Sequence, residues 1–205
     1  MGGVFAAILD TCVLWPSLKR DFLLSMAAEG LYRPLWSEAI LEELRRHEAL
    51  KLLRREGLDE AAAAARADSL VYKMRTYFDD ALVTGWEGLE GTYGLPDPGD
   101  EHVVAAAVVG GAGAIVTDNV KDFPATHLPP HLHVLDAKDF AADTADVDPA
   151  RAARAIHELS IRRSHPRKEP LQWLAILVER YGMVDVGDIL EPVLKDMLGT
   201  TPYPR

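Results

Sequence analysis

Short apolar blocks alternate with segments of helical periodicity along most of the chain. Residues 4–9 form a continuous apolar run that ends in the polar pair Asp10-Thr11, a pattern typical of a buried parallel strand. Three further strands are predicted at residues 32–36, 114–117 and 132–135. Because predicted helices lie between these strands, the pattern predicts an α/β fold with a central parallel sheet and helices on both of its faces.

Capping residues set the boundaries of the predicted helices. Three helices are predicted in the first part of the chain, over residues 17–30, 37–57 and 59–78, and a Gly-rich loop at 85–94 follows them. The segment Asp97-Pro98-Gly99-Asp100 is typical of a helix start, with an N-cap, a proline at the first helical position and an acid at the third. We expect that helix to end at Gly110.

The C-terminal third differs in composition from the rest. Residues 141–149 consist of Ala, Asp, Thr, Val and Pro and are predicted to be a linker. Helical patterns follow at 149–160, 171–181 and 186–198. The sequence therefore predicts an α/β domain over residues 1–140 and a small helical extension over residues 149–205.

Composition favours a folded protein that does not enter the membrane. Of the 205 residues, 48% are hydrophobic and 26% are charged, which is enough apolar material for a core. No apolar run approaches the roughly 18 residues that span a bilayer. The segment that begins at Met1 lacks the basic region and cleavage site of a signal peptide, so we expect a cytoplasmic location. The single cysteine, Cys12, excludes an internal disulfide and a multi-cysteine zinc site.

The net charge of −10 argues against nucleic acid as a partner only if the charge is spread evenly. Acidic residues are dense at 79–101 and 136–148, whereas basic residues cluster at 45–55 and 162–168. An acidic protein with local basic patches can bind RNA, above all where bound cations reverse the sign of an acidic pocket. The same basic patches are equally typical of solvated helix faces.

Several acids are predicted to meet at one edge of the sheet. Ligands of open parallel sheets bind beyond the carboxyl ends of the strands, where Asp10 follows the first strand and Asp118 follows a later one. Asp100, at a helix start, can face the same cleft. On the helix over 37–57, Glu42 lies on the outward face, but Glu43 lies at the border of the buried face.

Clustered carboxylates repel one another, and hard divalent cations such as Mg²⁺ or Mn²⁺ relieve that repulsion. Such ions can activate water and stabilise the leaving oxygen of a phosphodiester. Simpler roles stay open for each acid. Asp10 could cap a turn, Glu43 could be a surface acid, and Asp97 fits an N-cap better than a metal ligand.

Four segments resemble PIN-domain proteins, and more closely the VapC-type toxins of bacterial toxin–antitoxin pairs. They are ILDTCVLWP at 8–16, WSEAILEEL at 36–44, LPDPGDEHVVAAAVVGGAGAIVTDNVKDFP at 95–124 and VLDAKDF at 134–140, and the third is the most specific. The resemblance covers roughly residues 1–140. It implies an α/β/α sandwich and Mg²⁺- or Mn²⁺-dependent cleavage of RNA by an endoribonuclease. It also implies a homodimer that a small antitoxin protein inhibits.

The resemblance also assigns the site. The family acids fall on Asp10, Glu43 and Asp100, and these residues are expected to be catalytic and to bind the metal. The fourth family position falls on Asn119, which Asp118 and Asp122 flank, and we take Asp118 as the fourth acid. Possible supporting residues are Thr117, Asn119, Asp122 and Asp97.

Two other functions share features of this sequence. A phosphatase of the haloacid-dehalogenase kind also begins with a strand-end Asp, but it needs a second Asp two residues later, where this chain has Cys12. A PIN-like scaffold that binds RNA or protein without cleavage is expected to lack one of the core acids. Asp10, Glu43 and Asp100 are all present.

Overall fold

A computed structural model describes residues 4–163 and 165–199 of the chain. The described residues exclude residues 1–3, where the sequence lacks the basic region of a signal peptide. They also exclude Ser164 and residues 200–205 of the predicted extension. The chain forms two compact units. The sheet unit comprises residues 5–16 and 33–135, and the helical unit comprises residues 17–32 together with the described residues from Asp136 onward.

A five-stranded parallel sheet forms the centre of the sheet unit, in the order β3-β2-β1-β4-β5. The strands are β1 (Ala6–Leu9), β2 (Arg33–Ser37), β3 (Leu82–Val83), β4 (Ala114–Val116) and β5 (His133–Leu135). In β1, Ile8 pairs with Leu35 on one side and with Ile115 on the other. Every residue of this central strand is buried, which explains its uninterrupted apolar sequence. The predicted α/β class with a parallel sheet and C-terminal helices is confirmed.

Helices of the described residues separate β1 from β2, β2 from β3 and β3 from β4, and further helices follow β5. They are α1 (Thr11–Leu14), α2 (Ser17–Ala28), α3 (Glu38–Lys51), α4 (Glu60–Tyr77), α5 (Glu101–Val109), α6 (Ala137–Val147), α7 (Pro149–Arg162), α8 (Pro170–Tyr181) and α9 (Val184–Gly199). None of them is long and apolar enough to cross a membrane.

The predicted caps are present at the helices that carry the candidate acids. The Ser37 hydroxyl accepts a hydrogen bond from the Ile40 amide at the start of α3. A π-helical turn, Leu52–Glu56, extends α3 to Gly57, whose φ of 64° ends the helix. A 3₁₀ turn, Pro98–Asp100, leads into α5, and the Asp97 carboxylate caps it by accepting from the Gly99 amide at 2.8 Å.

Two predictions of local structure were wrong. Strand β3 was missed because its two residues, opposite Trp36 and Ser37, are too few to form an apolar run. The predicted linker at 141–149 is mostly helix, because α6 continues to Val147. The Asp136 side chain caps α6, and the alanines that suggested a linker are strong helix formers that bury one face of it.

The helical unit contains α2 and α6–α9. Tyr32 packs edge-on against Phe140, with 4.8 Å between the ring centroids, and its hydroxyl donates to the carbonyl of Leu23 at 3.0 Å. Arg163 pairs with Asp21 of α2. The helix α2 therefore groups with the C-terminal helices in the structure. The division into domains 1–140 and 149–205, which concerns independent folding, stays a prediction.

We expect Gly110→Ala to destabilise the protein by about 1–3 kcal/mol through overpacking. A Cβ atom at Gly110 would lie 2.7 Å from a methyl group of Val83 and 2.9 Å from one of Leu35. Urea unfolding would measure the loss. Gly88→Ala is the matched control, since a Cβ there meets nothing within 4 Å, and an equal effect of both substitutions would contradict the packing argument.

Candidate active site

A cleft of about 510 Å³ lies beyond the carboxyl ends of β1 and β4, within the sheet unit. The predicted catalytic residues Asp10, Glu43, Asp100 and Asp118 all line it. The other lining residues are Thr11, Cys12, Trp15, His47 and Asn119. The structure thus brings together side chains from α1, α3, the start of α5 and the loop after β4.

Asp10 is the most buried of the four acids, with 7% of its surface exposed. It directly follows β1, and its amide continues the ladder to β4 by donating to the Val116 carbonyl at 3.1 Å. Its Oδ2 accepts hydrogen bonds from the Thr117 hydroxyl at 2.7 Å and from the Cys12 thiol at 3.1 Å. These donors satisfy a carboxylate that would otherwise be costly to bury.

Cys12 and Thr117 also fix the loop after β4. The Cys12 sulfur accepts a hydrogen bond from the Asp118 amide, and the Thr117 hydroxyl accepts one from the Asn119 amide. Burial, together with the charge of Asp10, raises the pKa of the Cys12 thiol to about 12. In this arrangement Cys12 is a neutral hydrogen-bonding group at neutral pH.

Glu43 is held by two residues that the sequence did not single out. Thr11 donates a hydrogen bond to Glu43 Oε2 at 2.9 Å, and His102 Nε2 lies 3.5 Å from Oε1. His102 and then Thr11 lower the pKa of Glu43, against the opposite effect of burial. Burial by itself would lower the pKa of His102, but the hydrogen bond to Glu43 and the charges of Glu43, Asp10 and Glu90 together outweigh it, so the pKa is raised.

His102 carries no distinctive sequence pattern, because it is one histidine among apolar helix residues. The available signal is its position two residues after Asp100, at the start of the same helix. Thr11 has no distinctive pattern either, since in the sequence it is simply a polar residue after a strand. Both residues orient Glu43, which lies on another helix.

Asp100 differs from the other two core acids because its Oδ2 is buried and has no hydrogen-bond partner within the described part of the chain. Burial, followed by the charges of Asp10, Asp97 and Asp122, raises the pKa of Asp100 to about 6. The neighbouring Glu101 instead accepts three backbone N–H groups, those of Tyr93, Gly94 and Leu95. Only Asp100 of this acidic pair therefore contributes to the cleft.

The remaining predicted residues fall into two groups, those that line the cleft and those that do not. Asp118 and Asn119 are exposed and line the cleft. Asp97 and Asp122 do not line it, although the charge of each raises the pKa of Asp100. Asp97 acts as the cap that its place before Pro98 indicated. Which residue after Thr117 is the fourth functional group stays a prediction.

The donor chemistry of the cleft fits a hard divalent cation. Its acids supply oxygen ligands, and the unpartnered, mutually repelled carboxylate of Asp100 is a group that a cation stabilises. As the side chains are placed, no three His, Cys, Asp or Glu residues among 4–163 and 165–199 form a group that could hold a metal ion. The carboxylates of Asp10 and Glu43 accept hydrogen bonds from protein groups in the structure.

A family model described as PIN domain matches residues 6–121. The matched segment covers more than half of the chain and includes Asp10, Glu43, Asp100 and the loop after β4. No curated protein and no solved structure matches the chain significantly.

In metal-free buffer at pH 7.5, we expect Asp100→Asn to stabilise the protein by about 1 kcal/mol, an amount that allows for solvent screening of the partly exposed group. The reason is that the folded state holds the pKa of Asp100 at about 6, above its ordinary 3.8, so ionisation destabilises the folded state. The gain should be full above pH 6 and shrink as the pH falls below it, because the wild-type carboxyl then becomes protonated.

Thermal melting in EDTA over a pH series would measure this difference. Asp59→Asn is the matched control, since Asp59 is exposed and caps α4, a role that Asn also fills. If Asp100→Asn destabilised the protein, or if its effect did not change with pH, the carboxyl would not carry an uncompensated charge.

Proposed function

Because the chain belongs to the PIN-domain family, we propose that it is a metal-dependent endoribonuclease that cleaves RNA phosphodiester bonds. Membership of the family supports nuclease activity in general. We propose in addition that the substrate is RNA, that cleavage occurs within the strand and that it depends on Mg²⁺ or Mn²⁺. The observation that carries it is the unpartnered Asp100 carboxylate, which lines one cleft with Asp10 and Glu43.

In this proposal Asp10, Glu43, Asp100 and Asp118 hold the metal ion. A bound Mg²⁺ or Mn²⁺ supplies a Lewis acid that activates water and neutralises charge on the phosphate. The chain's own residues provide the framework. Thr117 and Cys12 fix the carboxylate of Asp10, and Asp100 offers an oxygen that accepts no hydrogen bond from the residues that the structure describes.

Glu43 has a second role open to it in the same proposal. Thr11 and His102 keep its carboxylate ionised, because the pKa of Glu43 is lowered. An ionised carboxylate can orient an attacking water by accepting a hydrogen bond from it. Since His102 is itself buried and paired with Glu43, it acts as a positioning residue for that carboxylate.

We expect Asp10→Asn and Glu43→Gln each to lower RNA cleavage by on the order of a hundredfold or more, because each removes a charge on which metal binding depends. The matched control is Glu42→Gln, since Glu42 is the neighbouring exposed acid and pairs with Arg45. Cleavage of total RNA by purified protein with Mn²⁺ or Mg²⁺, followed by mapping of the cut ends, would measure the rates.

The same assay includes an arm with EDTA, in which cleavage should stop. A melting experiment adds a readout that does not depend on activity. Mn²⁺ at about a hundredfold excess over its dissociation constant should stabilise the wild-type protein by about 2.7 kcal/mol, and the Asp100→Asn variant by less. Equal cleavage by Glu43→Gln and Glu42→Gln, or undiminished cleavage in EDTA, would contradict the proposal. Absence of cleavage by the wild type would favour a nucleic-acid-binding scaffold.

We further propose that this nuclease is the toxin of a toxin–antitoxin pair and acts in the cytoplasm. The physical argument is that Arg or Lys side chains of a small inhibitor could satisfy the acids of the cleft through charge-assisted hydrogen bonds. A homodimer is also proposed, on the basis of the family resemblance alone, and light scattering of the purified chain would distinguish it from a monomer.

Expression of the chain alone is expected to slow bacterial growth, and co-expression of the adjacent small reading frame is expected to restore it. The Asp10→Asn variant should leave growth normal without any partner. Growth curves under induction would measure all three. If the wild-type chain cut RNA in vitro but left growth unchanged, a housekeeping nuclease would be the better description.

A further inference from the structure

Trp15 lies at the rim of the acidic cleft, immediately after the end of α1. Its indole is neither part of the buried core nor fully exposed, and it lines the same cleft as Asp10 and Asp100. The metal chemistry of the cleft does not explain this aromatic surface, because indole has no ligand atom.

The ring of Trp15 is fixed before any ligand binds. Its Nε1 donates a hydrogen bond to the carbonyl of His47 at 3.3 Å. The His47 ring stands edge-on to it, with 6.4 Å between the ring centroids and an interplanar angle of 64°. A preorganised aromatic surface loses little conformational entropy when a flat ligand stacks on it.

A positive charge lies over this ring, although the chain is acidic overall. The Arg55 guanidinium is over the Trp15 ring, 5.8 Å from its centroid and near the outer limit of a cation–π contact. Arg54 and Arg55 are exposed, and within residues 4–163 and 165–199 no ion pair joins either of them to a carboxylate. Arg45 and Lys51, earlier on α3, are paired instead with Glu42 and Glu48.

We propose that Trp15 is a stacking platform for an unpaired nucleobase, with His47 fixing the ring and Arg55 binding the adjacent phosphate. A neutral, flat base is attracted to the indole face, whereas its negatively charged phosphates need the arginines. A base inside a duplex has no exposed face to stack. The platform therefore requires an unpaired segment of nucleic acid, bound so that a base lies on Trp15 and the chain runs into the cleft.

This inference rests on the proposed function in taking nucleic acid as the substrate, but it is tested by binding. The ligand is a fluorescent single-stranded RNA of about ten nucleotides, a length suited to one binding groove. Its affinity would be measured by fluorescence anisotropy with Mn²⁺, in the Glu43→Gln background that the proposed function predicts to be inactive. An abasic version of the strand and a duplex of the same sequence serve as comparison ligands.

Trp15→Ala is expected to weaken binding of the single strand by about tenfold, which is within the range for loss of one stacked base. Trp15→Phe should keep most of the affinity, because phenylalanine also offers an aromatic face. Tyr77→Ala is the matched control, since Tyr77 is an exposed aromatic of α4 that does not line the cleft, and it should bind as tightly as the parent. The abasic strand and the duplex should bind weakly and with no dependence on Trp15.

Equal affinity of the parent and of Trp15→Ala for the single strand would overturn the platform, as would an equal loss for the abasic strand. If Trp15→Ala failed to fold by its melting curve, the unmutated chain would still have to bind intact strand about tenfold more tightly than abasic strand. Trp15-dependent binding without wild-type cleavage would overturn the proposed function and leave the platform standing. If the wild type cleaved RNA but its binding did not depend on Trp15, the platform would be overturned and the proposed function would stand.

Discussion

The burial of the Asp10 carboxylate at the end of the central strand is the constraint on which the rest of the site depends. An ionised carboxylate is costly to remove from water unless polar groups compensate it. Here the compensation comes from Thr117 at the end of β4 and from Cys12 of α1, the helix that follows β1. The same two residues accept hydrogen bonds from the amides of Asp118 and Asn119. The groups that compensate the Asp10 carboxylate therefore also fix the loop that forms one wall of the cleft.

The acids around Asp10 differ in how the removal of their carboxylates from water is compensated. Glu43 is satisfied by Thr11 and His102, and Glu101 by the backbone of the preceding loop. Asp100 alone of these acids has a buried oxygen with no partner in the described chain, and its raised pKa records that deficit. Asp10, Glu43 and Glu101 therefore have protein partners, whereas the unsatisfied oxygen of Asp100 lies in the cleft, where a cation or a cationic side chain can reach it.

Local signals predicted much of the fold because they act within a few residues. Ser37, Asp59 and Asp97 cap the elements that their sequence positions indicated, and the apolar run at 4–9 contains the central strand. The failures have a physical reason as well. The strand β3 exists only through its pairing with β2, and the Ala- and Asp-rich segment of α6 became a helix because tertiary packing buried its alanine face.

The sequence by itself determined that acids follow the strand ends and helix starts of a parallel α/β fold, and from that pattern Asp10, Glu43 and Asp100 could be named. Only the tertiary structure decided what each acid contacts, since Asp10 and Thr117 are 107 residues apart and Glu43 and Thr11 are 32 apart. Such pairings depend on β1 lying beside β4 and on α3 packing near α1, which no local pattern encodes. The role of His102 and the unpartnered state of Asp100 follow from that packing.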